Sequence, residues 1–436
     1  MARLVSIEFK KVKNIREGTR LTFPAAGAVL LGKNGSGKTT LLDYIVGLCS
    51  LNPAAFESED GFHVSGTFAL KDNALALLDL EGKANKQPVE VQASTLPAIQ
   101  RIISSSTSET VCIDYILRLK DHPEYRIVIK DGRAEFSADG TPLGSPLPVP
   151  VPPRSQLATS FFHLAKLVGG HLTARAHPIV SAASEFLRLH GALCRFDEGL
   201  DFFRLITEER SDHLDLDIMI DGDSRKMAGG SIDRIPMDLL NAMMARNEMA
   251  PDVDLLTVKH TEVEFLNTFA KLCDFDSITA IAPIESKRSD KNVHHLSIRS
   301  LRFLCDLDQD RISHSRLSFG QKRLLSYLYY LACNDQIAVA DELVNGMHHE
   351  WIDYCLNDAC GDRQMFYTSQ NPLLLDSLAF ESEREVSERL IACRWNKKEK
   401  CFIWENLPAQ TAADFFRLYK VGVQHVSDIL RTRGWW

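Results

Sequence analysis

The sequence predicts an α/β fold with a mixed β-sheet N-lobe, an α/β C-lobe and a mainly helical insertion between them. Three observations predict it. Gly32-Lys33-Asn34-Gly35-Ser36-Gly37-Lys38-Thr39 fits the pattern G-x-x-x-x-G-K-[ST]. The apolar run Ile337-Ala338-Val339-Ala340 reads as a buried strand and ends in two carboxylates, Asp341 and Glu342. Leu317-Ser318-Phe319-Gly320-Gln321 opens a helical pattern just before that strand, 280 residues beyond Lys38.

The N-lobe comes first. Residues 4–9 and 20–23 read as strands, and Gly27-Ala28-Val29-Leu30-Leu31 as a buried strand leading into the loop. Leu41, Leu42, Tyr44, Ile45 and Leu48 then recur at helical spacing. Between strand and helix, the glycines let the backbone of Gly32, Asn34, Gly35, Ser36, Gly37, Lys38, Thr39 and Thr40 wrap a phosphate with its N–H groups. Lys38 would reach the β- and γ-phosphates of ATP, and Thr39 would hold Mg²⁺.

Alternation continues in Phe62–Phe68, Val111–Leu119 and Tyr125–Ile129, and Asp131-Gly132 supplies a turn into Ala134–Ser137. Six prolines between Pro142 and Pro153 exclude helix there and favour an extended strut at a domain boundary. From about 154 to 290, helical faces dominate: Phe161, Phe162, Leu164 and Leu167; Phe186, Leu187, Leu189 and Leu193; Val263, Phe265, Leu266, Phe269 and Leu272. Leu214–Asp221 interrupts them as an alternating strand with an acidic face, ending in an Asp-Gly turn rather than a Ca²⁺ loop. The expected division is an N-lobe over 1–150, the insertion over 151–292 and a C-lobe over 293–436.

Composition narrows the function classes. A net charge of -8 argues against a uniformly basic nucleic-acid binder, although a local basic groove is compatible with it. The ten cysteines include no C-x-x-C, so reduced thiols are expected rather than a zinc site. The N-terminus alternates like a strand and carries charge where a signal peptide is apolar. No run approaches the ~18 apolar residues of a membrane span. The expected location is the cytoplasm, with no membrane partner.

In the C-lobe, Leu324, Leu325, Leu328 and Leu331 give one face of the helix that follows Gln321. At the end of the next strand, Asp341 is placed to hold Mg²⁺ and Glu342 to polarise an attacking water. These residues, in this order, resemble ABC-type ATPases of the SMC/RecF/OLD group: phosphate loop 32–39, signature 317–321, Walker B 337–342. The fold implied is a P-loop NTPase of the ABC/SMC-head type, and the resemblance covers roughly 1–150 and 295–436. It implies that Ser318, Gly320 and Gln321 act on the γ-phosphate held by another subunit, so that ATP is sandwiched in a homodimer or a higher even oligomer.

Asn345-Gly346-Met347-His348 is similar to the N-G-L-H stretch of stand-alone members in defence systems, where transporter motors carry S-A-L-D. An Asn-Gly turn before a helix also accounts for it. After the strand-like Gln364–Thr368, Ser369-Gln370-Asn371-Pro372 stands where the group has T-T-H-S, so Gln370 takes the place of the switch histidine. An amide can bond a phosphate oxygen or orient water but cannot carry a proton, which implies slow rather than absent hydrolysis. The group's Q-loop glutamine, a further Mg²⁺ contact, falls best on Gln156 and next on Gln92. A hairpin over Leu390–Trp404 with a charged loop, then helical patterns and a Gly434-Trp435-Trp436 terminus, close the chain.

The long spacing from Lys38 to Ser318 disfavours a transporter motor, and the use of the residues after Gln370 by the last core elements disfavours an OLD-type fused nuclease. Two readings stay open. One is a sensor ATPase whose ATP-bound dimer controls a separate nuclease or toxin in anti-phage defence; the other is a RecF-like repair ATPase that binds duplex DNA.

Overall fold

The computed structural model describes residues 2–56, 61–71, 74–82, 111–149, 214–221, 224–228, 235–249, 253–290, 293–298, 300–359, 361–422 and 425–435, with short pieces between 160 and 197. The N-terminal third contains β1 (Arg3–Lys11), β2 (Thr19–Thr22), β3 (Gly27–Leu31), α1 (Lys38–Cys49), β4 (Phe62–Ala69), β5 (Leu75–Gly82), β6 (Val111–Arg118), β7 (Glu124–Lys130), β8 (Arg133–Ala138), β9 (Thr141–Pro142) and β10 (Leu147–Pro148). The middle contains β11 (Leu214–Asp221), β12 (Ser224–Ala228), α2 (Met237–Met249), β13 (Leu255–Lys259), α3 (Glu264–Leu272), β14 (Ser277–Asp290), β15 (Val293–Ile298), β16 (Arg302–Leu307) and β17 (Asp310–Ser313). There follow α4 (Phe319–Cys333), β18 (Ile337–Ala340), α5 (His349–Asp353), β19 (Gln364–Thr368), α6 (Pro372–Asp376), α7 (Glu383–Arg389), β20 (Leu390–Asn396), β21 (Cys401–Asn406), α8 (Ala409–Val421) and α9 (Val426–Thr432).

The chain divides into two compact units, one of residues 1–193, 339–341 and 362–436, the other of residues 194–338 and 342–361. The first unit holds a nine-stranded sheet in the order β10-β8-β7-β6-β5-β4-β1-β2, with β9 on β8. Its strands pair antiparallel, and β4 and β6 alternate between buried and half-buried residues, as a sheet with one covered face must. Buried Phe68, Tyr115, Phe161 and Phe186 meet edge to face or tilted on that covered side, with Tyr115 and Phe161 centroids 4.6 Å apart.

The same unit contains a five-stranded sheet in the order β18-β19-β3-β20-β21. β3 lies parallel to both β19 and β20, and β3, β18 and β19 are buried at every residue; β3 and β18 read as unbroken apolar runs, and β19 is apolar between Gln364 and Thr368. Two amides tie this sheet to its surroundings. Gln364 accepts from Leu4 N at 2.8 Å and donates to Leu4 O and Pro24 O at 2.8 and 2.9 Å. Asn406 accepts from Thr22 N at 2.9 Å and donates to Thr22 O at 2.8 Å.

The second unit is built on a seven-stranded antiparallel sheet, β12-β11-β15-β14-β16-β17 with β13 on β14. Phe265, Leu266 and Phe269 of α3 are buried, as their spacing predicts. Yet the described residues between 214 and 298 contain more strand than the helical faces imply. The reason lies in β13 and β14, where Leu255–Lys259 and Ser277–Ile284 alternate with period two and pair with each other.

Elsewhere the elements fall where the patterns put them, with two differences. β5 pairs with β4 and β6 along its length although Leu75-Ala76-Leu77-Leu78 lacks β-branched residues. Pro142 and Pro148 belong to two-residue strands on β8, at the sheet edge where a missing N–H is tolerated; residues 150–159 lie outside the described residues. Also outside them are Phe162, Leu187, Leu189, Leu193, the Gly222-Asp223 turn and Trp436. No helix among the described residues is long and apolar enough to cross a membrane.

Candidate nucleotide site

The phosphate loop is shaped by backbone that only glycine adopts freely. Gly35 and Gly37 have φ of 78° and 83°, and Gly37 is the N-cap of α1. A Cβ on Gly37 would lie 2.7 Å from the Phe402 ring, so this glycine also permits a close approach. Behind the loop, Phe402 stacks on Trp404, which lies against Phe9 and Tyr44, and Trp404 Nε1 donates to Ser36 O at 3.4 Å. An aromatic floor therefore fixes the loop from below while the first-turn N–H groups of α1 face outward without intrahelical partners.

Lys38 is buried, and its Nζ donates to Gly32 O at 2.8 Å and Lys33 O at 3.3 Å, curling over the loop. Thr39 Oγ1 donates to Asp341 Oδ2 at 2.5 Å. Thr368 Oγ1, at the end of β19, donates to the other oxygen, Asp341 Oδ1. The carboxylate at the end of β18 is thus held by one hydroxyl on each oxygen. Cys393 lies fully buried on β20, and burial pushes its thiol up against the opposing pull of the Lys38 ammonium, so it stays a neutral packing group.

The donor set fits a nucleotide with a hard divalent cation. Thr39 and Asp341 offer oxygen only, which suits Mg²⁺. Ser36 Oγ is buried with no hydrogen-bond partner, an orphaned hydroxyl inside the loop itself. Beside the loop, Gly32–Ser36, Arg394, Trp395 and Trp435 line a cavity of about 600 Å³.

Gln370 is exposed and follows buried Ser369, whose Oγ accepts from Asn371 N at 2.8 Å; Asn371 in turn caps α6. Thr40 lies in the first turn of α1, next to Thr39. Gln156 and Gln92 lie outside the described residues.

The signature residues belong to the second unit. Ser318 is the N-cap of α4 and forms a reciprocal capping box with Gln321: Gln321 N donates to Ser318 Oγ at 3.2 Å, and Ser318 N to Gln321 Oε1 at 3.0 Å. Phe319 between them is 64% exposed. Gly320 packs against the Asn345-Gly346 turn so closely that a Cβ would meet Gly346 O at 2.6 Å. Glu342 follows Asp341 in the chain with a left-handed φ of 48°, and Asn345 Nδ2 donates to its Oε2 at 3.4 Å. His348 is the N-cap of α5 and lies edge-on to Trp351, whose Nε1 donates to Leu272 O at 3.0 Å.

The structure therefore brings together Lys38, Thr39 and Asp341 in one unit, and Ser318, Gly320, Gln321 and Glu342 within the other. Sequence reasoning missed Thr368 and Arg323, whose guanidinium donates to the backbone of Glu342 and Leu343. Thr368 had a signal, as the last residue of the strand before Ser369-Gln370. Arg323 had none.

No protein-family model matches the chain, and no curated protein matches it in sequence. Among solved structures it is similar to an SMC head bound to the C-winged helix domain of ScpA, at 11% identity over 94% of this chain and 99% of that one, with a TM-score of 0.43. It is similar also to the SMC head domain from Thermotoga maritima, at 11% identity over 93% and 99% with a TM-score of 0.39. The recombination mediator RecF matches at 13% identity over 85% and 93%, with a TM-score of 0.30.

Proposed function

We propose that the chain binds ATP with Mg²⁺ and hydrolyses it slowly, in a site completed by Ser318, Gly320 and Gln321 of a second copy. The observation that carries this reading is the hydrogen bond from Thr39 to Asp341, which joins the phosphate loop to the strand-end carboxylate. Thr39 and Asp341 would hold Mg²⁺, and Gly32–Thr40 with Lys38 would hold the phosphates. Bound there, Mg²⁺ would supply positive charge to offset that of the phosphates. Glu342 accepts a proton from the attacking water. Gln370 can orient that water but cannot relay the proton, hence the slow rate.

In this reading the ATP-bound dimer is the signal and hydrolysis resets it. Asn345-Gly346-Met347-His348 favours a defence-type regulator acting on a separate nuclease or toxin. The test is sizing of the Glu342→Gln variant with and without Mg-ATP. A stable ATP-dependent dimer or higher even assembly is expected, and unchanged size and conformation would overturn the proposal. Co-purification with a nuclease or toxin encoded nearby supports the regulatory role. ATPase activity stimulated by duplex DNA, steeply weakened by salt, replaces that role with DNA repair.

A further inference from the structure

Glu342 occupies backbone space that L-residues avoid, and it is neither glycine nor one of the short polar residues that tolerate it. Something must hold it there. Arg323, in the second turn of α4, donates Nη2 to Glu342 O at 2.5 Å and Nε to Leu343 O at 3.0 Å. Two successive carbonyls thus point the same way, as in a turn, where the strand before them would alternate. One planar guanidinium spans both, which an ammonium cannot do.

The guanidinium is itself fixed. Its Cζ lies 5.1 Å from the centroid of the Phe196 ring, and Phe196 packs edge to face on Tyr327 at 5.1 Å. Burial pulls Arg323 down while the charges of Asp197 and Glu342 hold it up, so it stays a cation. On the other side, Asn345 reaches the carboxylate of Glu342 itself.

We propose that Arg323 is a positioning residue for the Glu342 carboxylate: it locks the left-handed backbone of residue 342 through two carbonyls and so sets where the base points. The proposal rests on Glu342 acting as the water-activating carboxylate. In this role Arg323 acts through Glu342.

The experiment compares Arg323→Ala, Arg323→Lys, Glu342→Gln and the double variants in the full chain, measuring kcat for Mg-ATP and the Kd of a fluorescent ATP analogue. Misplacing a catalytic group by about 1 Å costs up to about a hundredfold in rate, so Arg323→Ala should lower kcat between about ten- and a hundredfold with Kd unchanged. Arg323→Lys keeps the charge and the fold and should fall nearly as far, because the fork is lost. In the Glu342→Gln background neither substitution should lower the rate further. If Glu342→Gln abolishes turnover while Arg323→Lys keeps the parental kcat, or if the two losses multiply, the positioning role is overturned. If Glu342→Gln itself leaves kcat unchanged while Lys38→Ala abolishes it, the reading of Glu342 fails instead.

Discussion

Thr39 and Asp341 stand 302 residues apart in the chain and share a hydrogen bond of 2.5 Å. With Thr368 on its second oxygen, the carboxylate has both lone-pair faces engaged by hydroxyls that can rotate. In the proposed mechanism one of these oxygens would also serve Mg²⁺, which would make the pair matter more to chemistry than to stability.

Asp341→Asn should therefore cost little in folding and much in turnover. An amide cannot neutralise Mg²⁺, and the expected loss of kcat is at least about a hundredfold, with the Mg²⁺ concentration for half-maximal rate raised. Thr39→Ala should shift the same Mg²⁺ titration in the same direction. A titration of ATPase rate against Mg²⁺ checks both, and a lower kcat with an unmoved midpoint would place Asp341 elsewhere in the mechanism.

Gly37→Ala meets two obstacles, a φ of 83° and a Cβ 2.7 Å from Phe402. Left-handed strain alone costs about 1–2 kcal/mol, and the contact adds to it. Urea unfolding should show a loss above that figure. Adding Phe402→Ala should return only the contact part, leaving the backbone strain in place.

Gln364 is fully buried and serves three backbone groups. Gln364→Leu matches its volume but leaves Leu4 N, Leu4 O and Pro24 O without their partner. At about 1–3 kcal/mol for each buried group left unpaired, a destabilisation of several kcal/mol is expected, read as a lower urea midpoint. Gln364→Glu keeps the acceptor for Leu4 N but turns an oxygen toward two carbonyls in a buried site, so at neutral pH it should cost at least as much as the leucine.

Ser318 has two jobs that can be separated. Its Oγ caps α4, worth about 1 kcal/mol, and it is the proposed trans contact to a γ-phosphate. Ser318→Asp keeps the cap and places a negative charge against the phosphate. The variant should match the parent in thermal unfolding yet lose ATP-dependent assembly in sizing runs. Assembly at parental levels would remove Ser318 from the interface.

How much of this was written in the sequence depends on how local the cause is. The phosphate loop was legible because strand, glycines and helix start are contiguous and each restricts its own backbone. The strand ending at Asp341 was legible because burial on both faces demands an unbroken apolar run. β5 was not, since Leu and Ala runs serve helix and strand alike, and only its neighbours β4 and β6 settle it. Ser318 and Gln321 read as phosphate contacts, yet the same S-x-x-Q spacing is a capping box. Arg323 bonds two carbonyls about twenty residues along the chain, where no spacing rule points, whereas Thr368 could be read from its place at the end of the strand before Ser369.

The strand order has a consequence for how the protein is made. β3 is flanked by β19 and β20, neither of which exists until residue 364 and beyond has been synthesised. At about 5–20 residues per second, an apolar strand already carrying the phosphate loop waits from roughly twenty seconds to over a minute for its first sheet neighbour. The nascent chain thus exposes the strand behind this glycine-rich loop until β19 has been made, which makes β3 the segment that a ribosome-associated chaperone should be found shielding.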